Sequence, residues 1–366
     1  MPKQLAASSD LFKLMHVVGS PFTTNRIPPA NSEEAHSLYL LARKNKIGFT
    51  FLQVLQDDGI LDKFGLEKEY RKECNLRTEQ LKTLIRICKL LNEYAASYAV
   101  FKTLMPFGAI TNDIDIIHMG NSSEFEHIRR ILSSCGYIEI KSKTDTGQVM
   151  FHDVAIGGSF VIHPKEKDVY DIDIYNDISA SKMIYFDKRE LTGEIISKNL
   201  FGTSIKVLKE EAELALEITH AIMPEMIFTL LSFYSTLYYL KEMNHDSIER
   251  FIYLSRKNCV STAIRAHLTL TGLLHKEVFG FLPEKIECIF KMVNIDKYIE
   301  NSLSESVFES PYRYAMITVL SFLIEKMGDP IFVKSLSNQI FSMMLNPVNI
   351  QWIISNLLWR RTRETY

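Results

Sequence analysis

Asp113-Ile114-Asp115-Ile116-Ile117 places two carboxylates two residues apart among isoleucines. In an extended strand, alternate side chains face opposite ways. Asp113 and Asp115 then project together, and the isoleucines go to the core. The Cα atoms of such a pair lie about 6.5–7 Å apart. Carboxylates at that spacing can bridge two divalent ions about 3.5–4 Å apart, the arrangement that in-line phosphoryl displacement uses. Hard oxygen ligands suit Mg²⁺ or Mn²⁺. A second run, Val169-Tyr170-Asp171-Ile172-Asp173-Ile174-Tyr175, repeats the design. Asp171 and Asp173 share one face, opposite Tyr170, Ile172 and Ile174. If the two strands neighbour each other in one sheet, either acid of the second could join the first pair.

Working outward, Tyr98-Ala99-Val100-Phe101 reads as a short buried strand before the first acidic run, across a gap containing Pro106 and Gly108. Residues 122–135 read as a helix with Phe125, Ile128, Ile131 and Leu132 on one side. Strand candidates follow at 137–142, 148–154, 158–163 and 169–175. This order predicts an α+β fold: a small mixed sheet with a helix packed on one face. Residues 1–95 form an N-terminal helical region, 96–205 the α+β domain and 206–366 a C-terminal helical bundle. In the first region, Ser32-Glu33-Glu34 reads as an N-cap and acidic first turn of a helix reaching about Lys44. A longer helix over 67–94 carries Leu81, Leu84, Ile85, Cys88 and Leu91 as its apolar face. In the last region, helices are predicted over 209–222, 225–242, 247–256, 261–274, 283–293, 310–327 and 348–360.

The bulk properties bound the possibilities. The 366 residues are 46% hydrophobic and 23% charged, with a net charge of −2. That composition is ordinary for a globular chain, and the balance makes no electrostatic case for nucleic acid. Five dispersed cysteines without a CxxC argue against a disulfide framework. Ten histidines without HxxxH or HExxH spacing give no zinc site. The N-terminus, Met1-Pro2-Lys3-Gln4 onward, has no apolar run of signal-peptide length, and apolar later stretches such as 221–240 contain Glu225 and polar breaks. The expectation is a cytoplasmic protein with no membrane partner.

With these residues in view, the chain resembles the DNA polymerase beta-type nucleotidyltransferase superfamily, and more narrowly its "uncharacterised nucleotidyltransferase" branch, over roughly residues 33–240. The likeness rests on Ala42-Arg43-Lys44-Asn45-Lys46-Ile47, on Val100-Phe101-Lys102, and on the Asp-Ile-Asp-Ile run. It extends through Ile172-Asp173-Ile174-Tyr175-Asn176-Asp177-Ile178 to Val207-Leu208-Lys209-Glu210 and the helix bearing His220. The resemblance implies the nucleotidyltransferase fold, with Asp113, Asp115 and, by register, Asp173 rather than Asp171 as catalytic metal ligands. It also implies an NTP substrate. Lys102 is the candidate phosphate contact, and Thr103, which stands where the branch has glycine and the wider superfamily Gly-Ser, is the second candidate nucleotide-binding residue, through its hydroxyl. Residues 103–112 lack the arginine that many members carry before the first acid.

The expected activity is transfer of an NMP group from an NTP to an acceptor hydroxyl on RNA, protein or a small molecule. The departures at 103–112 motivate a second reading, a non-catalytic nucleotide-binding or interaction module that keeps the fold. A DxD glycosyltransferase is disfavoured, because only one strand candidate precedes Asp113. Thr111 and Asn112 read as turn residues, and His163 and His220 as structural histidines. Tyr170 and Tyr175 could stack on a base or pack the sheet.

Overall fold

The computed structural model describes residues 9–140, 148–153, 170–180, 182–293 and 310–345. Four helices come first: α1 (Ser9–Val18), α2 (Ser32–Lys44), α3 (Gly48–Asp57) and α4 (Glu67–Glu93). Then follow β1 (Tyr98–Phe101), β2 (Asp113–His118), α5 (Ser122–Ser134), β3 (Tyr137–Ile140), β4 (Gln148–Asp153), β5 (Asp171–Tyr175), β6 (Ile178–Ala180), β7 (Met183–Phe186), β8 (Ile195–Leu200) and β9 (Thr203–Leu208). The C-terminal part contributes α6 (Glu210–His220), β10 (Ile227–Phe228), α7 (Leu230–Glu242), α8 (His245–Lys257), α9 (Ser261–Phe279) and α10 (Glu284–Val293). It continues with β11 (Tyr312–Arg313), α11 (Met316–Lys326) and α12 (Pro330–Leu345). The strand expected at 158–163, with His163, and the helix expected at 348–360 lie outside the described residues. No helix among the described residues is long and apolar enough to cross a membrane.

The fold is α+β, but its sheet is larger than expected. Seven strands run in the order β3-β4-β5-β2-β1-β9-β8. β1 pairs antiparallel with β2, β2 parallel with β5, and β9 parallel with β1. The hairpin β8–β9 extends the sheet past the boundary drawn at 205. Its turn uses Phe201 (φ 47°) and Gly202 (φ 79°), consecutive positive-φ residues of the kind that close a tight hairpin.

Helices cover both faces of the sheet, because both residue parities of the central strands are apolar. On one face, Tyr98, Val100, Ile114, Ile116, Ile172 and Ile174 pack with Leu84, Ile87 and Cys88 of α4 and with Phe125, Ile128 and Leu132 of α5. On the other, Ala99, Phe101, Ile117 and Tyr175 join a cluster that includes Leu11, Phe51, Leu216 and Phe251. One apolar core therefore connects the N-terminal helices, the sheet and the C-terminal helices. Ile117 lies on the acids' face and not with the other isoleucines. In α4 the buried stripe runs through Ile87, not Ile85, and also takes in Gln80 and Thr83.

Local capping explains two further differences. The N-cap of α2 is Asn31, whose side chain accepts from the Glu34 amide, while Ser32 is already helical. Asn31→Ala is expected to cost about 1 kcal/mol and Ser32→Ala only a few tenths; urea denaturation of the two variants distinguishes them. The helix expected from 225 begins only at Leu230. Pro224 sits in a π-turn over Ala221–Glu225, Met226 has φ 57°, and Thr229 caps the new helix through a reciprocal pair with Ser232.

Candidate functional site

The parallel register of β2 and β5 sets Asp115 directly opposite Asp173 and Asp113 opposite Asp171. Asp113, Asp115 and Asp173 each offer one carboxylate oxygen to a common point, all three oxygens within 4.8 Å of one another. Asp171 is outside this trio, one residue pair nearer the strand start. Asp115 and Asp173 are only 3% and 4% exposed. The Oδ2 of Asp115 lies 3.4 Å from Lys102 Nζ, and that of Asp173 accepts from Gln148 Nε2 at 2.6 Å. The Oδ1 atoms of both are buried and have no hydrogen-bond partner among the described residues. Burial pushes the Asp115 carboxyl up to about 7; Lys102 opposes this and Asp113 adds to it. Asp173 is held well above the usual carboxylate range by burial, then by Asp115 and Asp113. Buried carboxylates this close are costly without compensating positive charge. The orphaned oxygens, the all-oxygen donor set and the charge deficit fit one or two hard divalent cations.

Lys102 follows the last residue of β1 in the left-handed region, at φ 53°. Its side chain is 14% exposed and lies over the rings of Phe101 and Tyr175, at 5.0 and 5.9 Å. Thr103 is fully buried. Its hydroxyl donates to the Phe101 carbonyl and accepts from the Asp115 amide, at 3.1 and 2.9 Å. The hydroxyl expected to touch phosphate instead ties the β1 turn to β2, and Lys102 alone of the two lines the cleft. Thr111 does similar local work. It accepts from Gln80 Nε2 and donates to the Asp113 carbonyl, which orders the approach to the acids.

Asp113, Asp115 and Lys102 form one side of a cleft of about 190 Å³; Asp173 stands behind them in the trio. The other side comes from segments the sequence reading did not assign to the site: Lys46, Glu217, His220, Glu225 and the first turn of α7. Lys46 is brought there by Asn45, which is fully buried after α2. The Asn45 side chain and carbonyl accept from the Leu230 and Leu231 amides. His220, read as structural, contacts Lys102 Nζ through Nε2 at 3.1 Å and Tyr185 through Nδ1 at 2.8 Å. Glu213, Glu217 and His220 are spaced i, i+4, i+7 on α6, one face of a helix. That spacing was the available signal, hidden because the intervening positions are also buried. Of the two tyrosines, Tyr175 lines the cleft, whereas Tyr170 packs on the opposite face and donates to the Leu76 carbonyl.

No family model matches the chain, and neither a curated protein nor a solved structure matches it.

Proposed function

We propose that the chain is a metal-dependent nucleotidyltransferase, of the polymerase beta-like class that its acidic runs resemble. It transfers an NMP group from an NTP to an acceptor hydroxyl. The observation carrying this reading is the convergence of three carboxylates, two of them buried with an unpartnered oxygen, beside the half-buried Lys102 ammonium, with Asp113, Asp115 and Lys102 facing a cleft. Asp113, Asp115 and Asp173 would hold Mg²⁺ or Mn²⁺. Such ions neutralise triphosphate charge and raise the acidity of a bound hydroxyl. Lys102 and Lys46 supply the remaining positive charge of the cleft and meet the phosphates. Asp173 is the carboxylate assigned to the acceptor: it would take the hydroxyl proton as the acceptor oxygen bonds the α-phosphorus and the bond to the departing pyrophosphate breaks.

Titration of the protein with Mn²⁺ and then with each NTP, followed by an assay for released pyrophosphate, tests this reading. Mn²⁺ is expected to bind and to raise the melting temperature, since a ligand of the folded state alone stabilises it by RT ln(1 + [L]/Kd). EDTA is expected to reverse the shift. Labelled NTP incubated with total RNA and protein then reports the acceptor class by where label lands. The burial of Thr103 favours one competing reading, a nucleotide-binding module without catalysis. Metal-dependent NTP binding with no pyrophosphate release would establish that alternative.

A further inference from the structure

Lys102 is anchored at both ends. Its backbone amide donates to the Glu213 carboxylate, and its ammonium meets Asp115 and His220. A non-glycine residue at positive φ is uncommon and costs about 1 kcal/mol or more; here α6 holds the residue in that conformation. The chemistry of the ammonium then determines the state of the histidine. An ammonium has donors only, so at 3.1 Å the His220 Nε2 must accept and carries no proton. The ring proton is therefore on Nδ1, where it donates to the Tyr185 hydroxyl oxygen at 2.8 Å. Glu225 Oε1 would compete as an acceptor for a proton on Nε2, but at 3.6 Å it lies beyond hydrogen-bonding distance. Burial, then the charge of Lys102, keeps the imidazole below its ordinary value, which agrees with a neutral ring.

We infer that His220 is a positioning residue: in its Nδ1–H tautomer it fixes the Lys102 ammonium beside Asp115 as the cation that meets the departing pyrophosphate. This rests on the nucleotidyl-transfer reading and adds to it the contact that holds the phosphate-facing cation in place. Long-range ¹⁵N–¹H correlation on the metal-free full chain is expected to show a neutral His220 protonated on Nδ1; a proton on Nε2 overturns the inference. Pyrophosphate binding in the presence of Mn²⁺ gives the second test. Glutamine can return an acceptor oxygen near the Nε2 position and leucine cannot. His220→Leu is expected to weaken pyrophosphate about tenfold, the equivalent of about 1.4 kcal/mol. His220→Gln should stay within about twofold of the wild type. Mn²⁺ affinity without pyrophosphate should be unchanged in both. A His220→Leu variant with wild-type pyrophosphate affinity, or one that loses Mn²⁺ and pyrophosphate alike, overturns the positioning role. If the wild type takes Mn²⁺ and Asp115→Ala abolishes that binding, such a result leaves the metal site standing. If Asp115→Ala changes neither Mn²⁺ nor NTP binding, the reading beneath falls, and this inference with it.

Discussion

Asp115→Asn is expected to reduce nucleotidyl transfer on the order of 10³-fold or more while the metal-free protein stays folded. The variant keeps the side-chain volume and removes one charge from a trio whose oxygens lie within 4.8 Å of one another. A loss of about 4 kcal/mol of transition-state stabilisation corresponds to that factor, and divalent-ion contributions of several kcal/mol are of this size. The amide oxygen is a weaker, uncharged ligand, so Mn²⁺ affinity should fall together with activity. The fold should survive because the native environment already penalises the charged form: burial and Asp113 outweigh the help from Lys102. Measured together, Mn²⁺ titration, pyrophosphate release and the urea midpoint separate the possibilities. Full transfer in Asp115→Asn would sink the metal-site reading, and early unfolding with unchanged Mn²⁺ affinity would mark Asp115 as structural.

Glu217→Gln is expected to stabilise the protein at pH 8.5 and to do little at pH 4.5. Burial, with Glu213 next, pushes the Glu217 carboxyl up to about 8. The unfolded chain ionises near 4.3. Between those values the folded state binds more protons than the unfolded state, so stability falls as pH rises. The penalty is absent below the unfolded value, grows through the interval and is complete above about 8. At about 1.4 kcal/mol for each tenfold difference in proton affinity, the full effect is a few kcal/mol. Glutamine is neutral throughout and escapes it. Glu213, pushed up to about 7 by burial against the hydrogen bond from Lys102, adds a penalty of the same sign in both proteins. His118 and His267, lowered by burial to about 4 and about 3, act in the opposite direction below their ordinary range. The difference between variant and wild type therefore isolates Glu217. An equal shift at both pH values would show that its ionisation is not what costs stability.

These expectations draw on different amounts of sequence information. The boundaries of α2, α4, β1 and β2 follow from local periodicity, since each apolar face is set by residues at most four apart. Asp113 and Asp115 share a face for the same reason, and no tertiary contact was needed to pair them. The hairpin β8–β9 was missed although its turn residues are local, because its outer strand is exposed and carries little apolar pattern. The late start of α7 was missed because Pro224 sits inside a π-turn that periodicity does not anticipate.

From its own residues, the sequence determined an acidic strand pair within an α+β fold; the preference for Asp173 over Asp171 came only from resemblance. Tertiary structure decided which strands are neighbours: parallel pairing of β2 with β5 sets Asp173 opposite Asp115 across 58 residues of chain. It also decided that Thr103 faces inward and that His220, 118 positions from Lys102, contacts its ammonium. Side-chain periodicity fixes only which residues share a face of their own element. Which faces meet depends on how both sides of the sheet are buried at once, and that balance is a property of the whole chain.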